Sequence, residues 1–441
     1  MSASPAGKSL FSRHYLETHL PRYPEWAEDP HPVFVRLREL WEHGKRLGET
    51  WNENQTETEF LRPTLDVLGW AFIPQAAARR GRRLSRPDYA LFPDAEVKNE
   101  AYPCQGQDDA FYGRACAIAE AKHWGRPLSR QSTDGREQWD ADANPSHQMV
   151  NYLVGTHCPW GILTNGQIWR LYSREVSSTA SEFYELDLGL ILDFLPTDGE
   201  PTAEQLDAFK LWWLFFRRDA FVADAQDRNF VQRVAAGSAS YAREVSDKLK
   251  ELVYREVMPE VAGGFIAYRR ERLGIGQETA ASRAEIYRAS LGLLYKLLFI
   301  LYAEARGLLP VDNPAYHAES LTRMAAEFAD KRQRGLPLSD ATHATRQYDS
   351  LLALFHRIDL GDPSLGIPRY DGGLFNPATP ENRFLETHKL SDRAVARAVN
   401  ILVYDAGEPV DYGYISVRNL GSIYEGLLEM PEMPSLRRDG I

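Results

Sequence analysis

Cysteine is scarce. The 441 residues hold three, Cys104, Cys116 and Cys158, and no two lie at a short spacing. That excludes a disulfide-framed secreted domain and a zinc ribbon, and it fits a reducing cytoplasm. The N-terminal stretch "MSASPAGKSLFSRHYLETHL" lacks a continuous apolar core and does not read as a signal peptide. Long apolar runs are missing too. "LWWLFF" and "LLFILYA" are too short to span a bilayer and read as core helices, so no membrane partner is expected. There is no phosphate-binding Gly-rich loop ending in Gly-Lys, hence no ATP motor, and no His-Glu-x-x-His or similar metal spacing. Positive charge is in deficit: the net charge of -11 disfavours a non-specific polyanion binder, although binding depends on local fields.

What is present is ordinary globular composition, 44% hydrophobic and 26% charged, in a chain long enough for two or three domains and a large core. Residues 1–50 read as a polar helical extension broken by prolines. "NENQTETEFLRPTLDVLGW", Asn52 to Trp70, repeats Phe60, Leu61, Leu65 and Leu68 at helical spacing, with Asn52 or Asn54 as cap and Gly69 as stop. Strand-like segments follow at "RPDYALF" and "AIAEAKHW". "NPSHQMVNYLVG" reads as a helix, "WGILTNGQIWRLY" as a hairpin turning at Asn165-Gly166, and "SEFYELDLGLIL" as a further strand. After Asp198 helical periodicity dominates. Three domains are therefore expected: 1–50, 51–198 with mixed α/β character, and 199–441 all α. On the long helical stretch from Ala284 to Pro310, Lys296, Glu304 and Arg306 read as a structural ion network.

Chemistry concentrates in the second segment. Alternate residues of a strand share a face, so Glu120 and Lys122 point the same way and Ala119 and Ala121 the other. His123 then points away from them and reads as a packing residue. Asp88 follows Pro87 at the head of the preceding strand. Two carboxylates that converge repel each other unless a cation lies between them, and a hard oxygen-binding ion such as Mg²⁺ would satisfy them. With Lys122 beside it, such a set suits phosphodiester hydrolysis. The residues between the two strands are numerous, and Asp94 or Asp109 are alternative partners to Asp88. Five arginines, Arg79, Arg80, Arg82, Arg83 and Arg86, crowd the segment before Asp88. They are either a solvated loop or a clamp for DNA phosphates, the latter making affinity strongly salt-dependent.

"RPDYALF" followed by "AIAEAKHW" resembles the PD-(D/E)xK nuclease superfamily, and within it the nuclease domains of type I restriction subunits and of fused type IIG restriction-modification enzymes. The helix ending in "GW" resembles the N-terminal helix of those domains, with Glu53 in the matching place and Glu57 as runner-up. "QMVNY", Gln148 to Tyr152, resembles their Gln-x-x-x-Tyr helix. "LLYKLLFILYAEARGLLP", "YDGGLFNP" and "LGSIYEGLLE" resemble the helical connector that precedes the methyltransferase in the fused enzymes. The resemblance implies an α/β restriction-endonuclease-like core, with a mixed central sheet flanked by helices, followed by an α-helical connector. It implies Mg²⁺-dependent cleavage of duplex DNA in bacterial restriction-modification or anti-phage defence. Glu53, Asp88 and Glu120 would be the metal ligands, Lys122 would assist the water or the charged transition state, and Gln148 and Tyr152 would support the site. Two features depart from the pattern. The gap between Asp88 and Glu120 is long, read here as a loop or extended hairpin. No Asn-Pro-Pro-Tyr-type motif and no S-adenosylmethionine loop is present, so the chain reads as a fragment, a truncated product or part of a split system, with a methyltransferase or specificity partner in trans as a candidate. The alternative is a DNA-binding or scaffolding module that is catalytically silent without that partner.

Overall fold

In the computed structural model, residues 10–74, 86–129, 144–177, 180, 182–193, 200–337, 343–370, 372–405, 408–413, 415, 420–421 and 423–425 are described. The chain divides into two compact units, Met1–Ser240 and Tyr241–Ile441, and the division falls inside the helix Phe230–Leu252.

The first unit is built on one mixed six-stranded sheet. Its strands are β1 (Ala71–Pro74), β2 (Tyr89–Phe92), β3 (Ala117–Ala121), β4 (Trp160–Thr164), β5 (Ile168–Ser173) and β6 (Tyr184–Asp187), in that spatial order. All neighbours are antiparallel except β3 and β4, which run parallel. A parallel pair needs a crossover, and the helix Pro145–Thr156 lies in that connection. The hairpin between β4 and β5 turns at Asn165-Gly166 as the sequence suggests. Gly166 has φ +86°, and a Cβ there would stand 2.7 Å from the Trp124 ring, so both conformation and space demand glycine. The Asn165 side chain accepts from the backbone N–H groups of Gln167 and Ile168 and fixes the turn.

Both faces of the sheet are covered, which explains why β2, β3 and β4 are buried along their whole length. Ala90, Phe92, Ile118, Leu163 and Tyr172 pack on one side against Met149, Tyr152 and Leu153 of the crossover helix. On the other side the Trp169 ring meets Trp212 at 5.1 Å and Phe216 at 5.4 Å. Trp212 and Phe216 belong to the helix Ala203–Phe216, so the first helix after residue 198 completes the α/β unit. The N-terminal helix His31–Leu47 also joins this unit, with Trp41 packed on Trp124 at 5.2 Å. The compact division therefore lies near residue 240, later than the change in periodicity. The long segment between β2 and β3 is not a hairpin. It forms two short helices, Ala95–Ala101 and Asp108–Tyr112, the first capped by the Asp94 side chain accepting from the Val97 N–H.

Among the described residues of the second unit the regular structure is helical apart from a two-residue strand pair, Tyr404–Asp405 with Glu408–Pro409. "LLFILYA" is part of a 26-residue helix, Ala280–Ala305, which is long and apolar enough to cross a membrane by length and composition. Yet 72% of its apolar window is buried inside the protein. It packs against Met258–Arg272 and Pro380–Thr387. Among the described residues, Lys296, Glu304 and Arg306 do not form the expected ion network. Glu304 accepts from the Tyr316 hydroxyl, the Leu321 and Thr322 N–H groups and the Thr322 hydroxyl, at the N-terminus of the helix Leu321–Gln333. Arg306 donates to the Ile415 carbonyl. Lys296 is buried and donates to the Leu374 carbonyl and the Asn382 side-chain oxygen, each at 2.5 Å, between the rings of Phe355 and Phe375. Residues 296 and 304 stand two turns apart, roughly 12 Å along the axis, too far for a direct pair.

Burial pushes the Lys296 ammonium down from 10.5 to about 8, against the opposing pull of Glu381, Asp359 and Glu386. Between those two values the unfolded chain binds this proton and the folded chain does not, so stability rises with pH across that window. At neutral pH the burden is about 3 kcal/mol. Urea unfolding of the full chain at about pH 7.5 and about pH 10 should show wild type gaining about 2 kcal/mol of it relative to Lys296→Met. Parallel pH profiles for the two proteins would contradict the assignment.

Candidate active site

Asp88, Glu120 and Lys122 come together because of strand register. Tyr89 pairs with Ala119 across β2 and β3, so one step further places Asp88 opposite Glu120. Asp88, Ala90 and Phe92 then share a face with Ile118, Glu120 and Lys122, the face covered by the crossover helix. The backbone N–H of Asp88 donates to Glu120 Oε2 at 3.2 Å. Asp88 Oδ2 accepts from the Ala121 N–H at 2.9 Å. Lys122 Nζ donates to Glu120 Oε1 at 2.8 Å, and its own N–H continues the parallel ladder to the Thr164 carbonyl. Glu120 is 2% exposed and Lys122 6%, so this is a buried pair and not a solvated surface contact. A buried pair contributes little net stability compared with apolar side chains of the same shape, which points away from a purely structural role.

Glu53 completes the surroundings. Its helix starts at a reciprocal cap: the Asn52 side chain accepts from the Gln55 N–H and the Gln55 side chain accepts from the Asn52 N–H. The buried Thr56 hydroxyl accepts from the Trp124 N–H at 3.0 Å, tying this helix to the residues just past Lys122. Glu53 Oε2 thereby stands 3.9 Å from Lys122 Nζ. The runner-up, Glu57, turns elsewhere. It opens a π-helical turn, Glu57–Leu61, accepts from the Tyr89 hydroxyl, and lies 3.5 Å from Arg62, whose Nε also donates to Tyr89. Such turns are frequent at functional sites.

The electrostatics follow from burial and like charge. Burial raises the Asp88 carboxyl well above the usual range, and the negative charge of Glu120 adds to it. Burial also raises Glu120, partly offset by Lys122 and by hydrogen bonds with the Asp88 backbone and side chain. Burial alone would lower the Lys122 ammonium, but Glu120, Glu53 and Asp88 together outweigh that and raise it. The two carboxyl groups are each bonded to a backbone N–H of the opposite strand or its end, and as neighbouring like charges they need a shared proton or a cation between them. Among the described residues no group of three His, Cys, Asp or Glu side chains converges as for a preformed metal centre; Glu53 stands 3.9 Å from the lysine. A donor set of two carboxylates still fits Mg²⁺, which keeps several of its waters and takes one or two protein carboxylates.

The remaining candidates divide. Gln148 Nε2 donates to the Tyr152 hydroxyl at 2.7 Å, so the two hold each other on the helix that covers the site's face of the sheet. Arg86 is 2.9 Å from Asp108 of the inserted helices. Arg79, Arg80, Arg82 and Arg83 lie outside the described residues. Asp94 is engaged as a helix cap and Asp109 lies within the helix Asp108–Tyr112, so the geometry selects Asp88 from the three aspartates beside Glu120. Sequence reasoning did not reach the Glu57–Tyr89–Arg62 cluster. Tyr89 follows Asp88 and faces the opposite layer by alternation, and that was the signal available.

No protein-family model, curated protein or solved structure matches the chain.

Because burial and Glu120 raise the Asp88 carboxyl, the folded chain holds this proton more tightly than the unfolded chain does, and stability falls as pH climbs above about 4. Asp88→Asn keeps an oxygen for the Ala121 N–H and removes the like charge. Without divalent ions it should raise the thermal midpoint at neutral pH by roughly 2–5 °C, with the gain vanishing near pH 4. Differential scanning calorimetry at several pH values checks this. A lower midpoint at neutral pH would show that the carboxylates do not repel.

Proposed function

We propose that this protein is a Mg²⁺-dependent endodeoxyribonuclease of the PD-(D/E)xK kind, acting on duplex DNA in restriction-modification or anti-phage defence in the bacterial cytoplasm. The observation that carries the reading is the contact of half-buried Asp88 with buried Glu120, with Lys122 bonded to the latter and Glu53 3.9 Å from that lysine. The six-stranded mixed sheet with both faces covered is compatible with a restriction-endonuclease-like core, and the helical unit with the connector of the fused enzymes.

In this reading Asp88 and Glu120 hold the ion, and Glu53 takes part through a water or by turning away from Lys122. A bound Mg²⁺ supplies charge for a phosphate oxygen and lowers the pKa of a bound water. In the ion-free protein burial lowers the Lys122 ammonium, and Glu120, Glu53 and Asp88 outweigh that and raise it. As an ammonium it would orient the attacking water by donating to it, or stabilise the charge that develops on the transferred phosphate. Gln148 and Tyr152 support the site from the covering helix, and the arginines Arg79, Arg80, Arg82, Arg83 and Arg86 hold the DNA backbone.

One observation favours the second reading, a DNA-binding or scaffolding module that is silent without a methyltransferase or specificity partner in trans. Lys122 is closed onto Glu120, and among the described residues no third carboxylate groups with the pair as a metal centre would need. A plasmid-nicking assay with Mg²⁺ separates the two. Wild type should nick, and Lys122→Ala and Asp88→Ala should each nick at least about 100-fold more slowly. Equal nicking by all three would remove the assignment of the site. No nicking by any, with DNA binding intact, would favour the silent module.

A further inference from the structure

The parallel crossover leaves the covering helix joined to β3 only through a connection, so something must set its position against the strand that carries Lys122. Arg170 is placed to do this. In the sheet, Glu120 pairs with Leu163, Leu163 with Arg170 and Arg170 with Glu185, one row across β3 to β6 on a single face. Arg170 is buried, and its fork reaches three other segments of the chain. Nη1 donates to Ser146 Oγ and to Ser129 Oγ, each at 2.8 Å. Nε meets Glu185 Oε2 at 2.5 Å, and the guanidinium lies 4.0 Å over the Phe183 ring. Ser146 is in the first turn of the crossover helix, just before Gln148, and Ser129 ends the described segment that follows Lys122.

Ser146 Oγ gathers the junction. It accepts from Arg170 and, at 3.0 Å, from the Tyr172 hydroxyl, and it donates to the Leu128 carbonyl at 2.8 Å. The Asn144 side chain donates to the Ser129 carbonyl at 3.1 Å. The chain leaving Lys122 and the chain entering the Gln148–Tyr152 helix are therefore bonded to one arginine on β5. Only a planar fork with several fixed donors can reach these partners together; a lysine supplies a single point charge. The polar design is not needed for cohesion, because apolar residues of similar volume would stabilise the position as well.

We propose that Arg170 is a positioning residue that sets the helix bearing Gln148 and Tyr152 in register with the strand end bearing Lys122. The proposal rests on the nuclease reading for its catalytic consequence, and on geometry alone for its structural one. Arg170 acts through Ser146 and Ser129, to which its Nη1 donates. A displacement of about 1 Å at a reacting group can cost about 100-fold in rate.

The test uses the full chain as wild type, Arg170→Met, Arg170→Lys and Ser146→Ala. Hydrogen–deuterium exchange is followed in peptides covering residues 144–152 and 160–173, together with DNA affinity and the single-turnover nicking rate with Mg²⁺. Arg170→Met should lose protection about tenfold in 144–152 while 160–173 stays protected. Its nicking rate should fall about 10- to 100-fold with DNA affinity within about twofold. Arg170→Lys should recover part of both. Ser146→Ala removes the hub without removing the charge and should show the same local loss, which keeps the test available if Arg170→Met does not fold. Protection and rate that remain unchanged would overturn the proposal, as would an equal loss of protection across 144–152 and 160–173. If wild type does not nick, the nuclease reading fails by itself. The exchange pattern then decides the proposal alone, local loss supporting it and an unchanged pattern overturning it.

Discussion

A buried Glu120 carboxyl held against a half-buried Asp88 is the constraint around which the first unit is organised. Asp88 and Glu120 meet because the β2–β3 register lines them up, and each is also bound to the other strand's backbone or side chain. Nothing in the packing of the sheet requires this. Alanine, isoleucine and leucine fill the neighbouring positions of the same strands. Lys122 is bonded to Glu120, and burial works against the charge of all three groups. Strain kept at one spot while its surroundings are ordinary is the pattern expected of a site made for chemistry.

The rest of the unit holds that spot in place from several directions. The Thr56 hydroxyl ties the Glu53 helix to Trp124. The Asn165 side chain donates to the Arg126 carbonyl and steadies the turn after Lys122. Trp124 is enclosed by Trp41, Trp51 and Phe60. Each tether reaches the strand end from a different element, so the lysine is set by the first unit as a whole and not by its own strand alone.

Part of this was legible in the sequence, for identifiable reasons. Alternation along "AIAEAKHW" put Glu120 and Lys122 on one face, and the structure keeps them there. Asn165-Gly166 predicted the hairpin because only glycine suits that turn. Asn52 was one of two cap candidates and is the one used. Other features were hidden because they depend on contacts distant in sequence. The change to helical periodicity after residue 198 marked secondary structure, but packing is decided by Trp212 and Phe216 meeting Trp169. The insertion before β3 looked like a loop, since short helices such as Ala95–Ala101 leave little periodicity; the Asp94 cap was its clearest local sign. Lys296 and Glu304 share a helix and opposite charges, yet their partners come from other elements. The approach of Glu53 to Lys122 could not be read from spacing at all.

The account stands on a divalent cation taking its place between Asp88 and Glu120. Binding of Mn²⁺ to the DNA-free chain, followed by electron paramagnetic resonance, tests this most directly, because it needs neither a substrate nor turnover. Wild type should bind one ion at a site that Asp88→Asn and Glu120→Gln each weaken at least about tenfold. The same affinity in wild type and both variants would contradict the account.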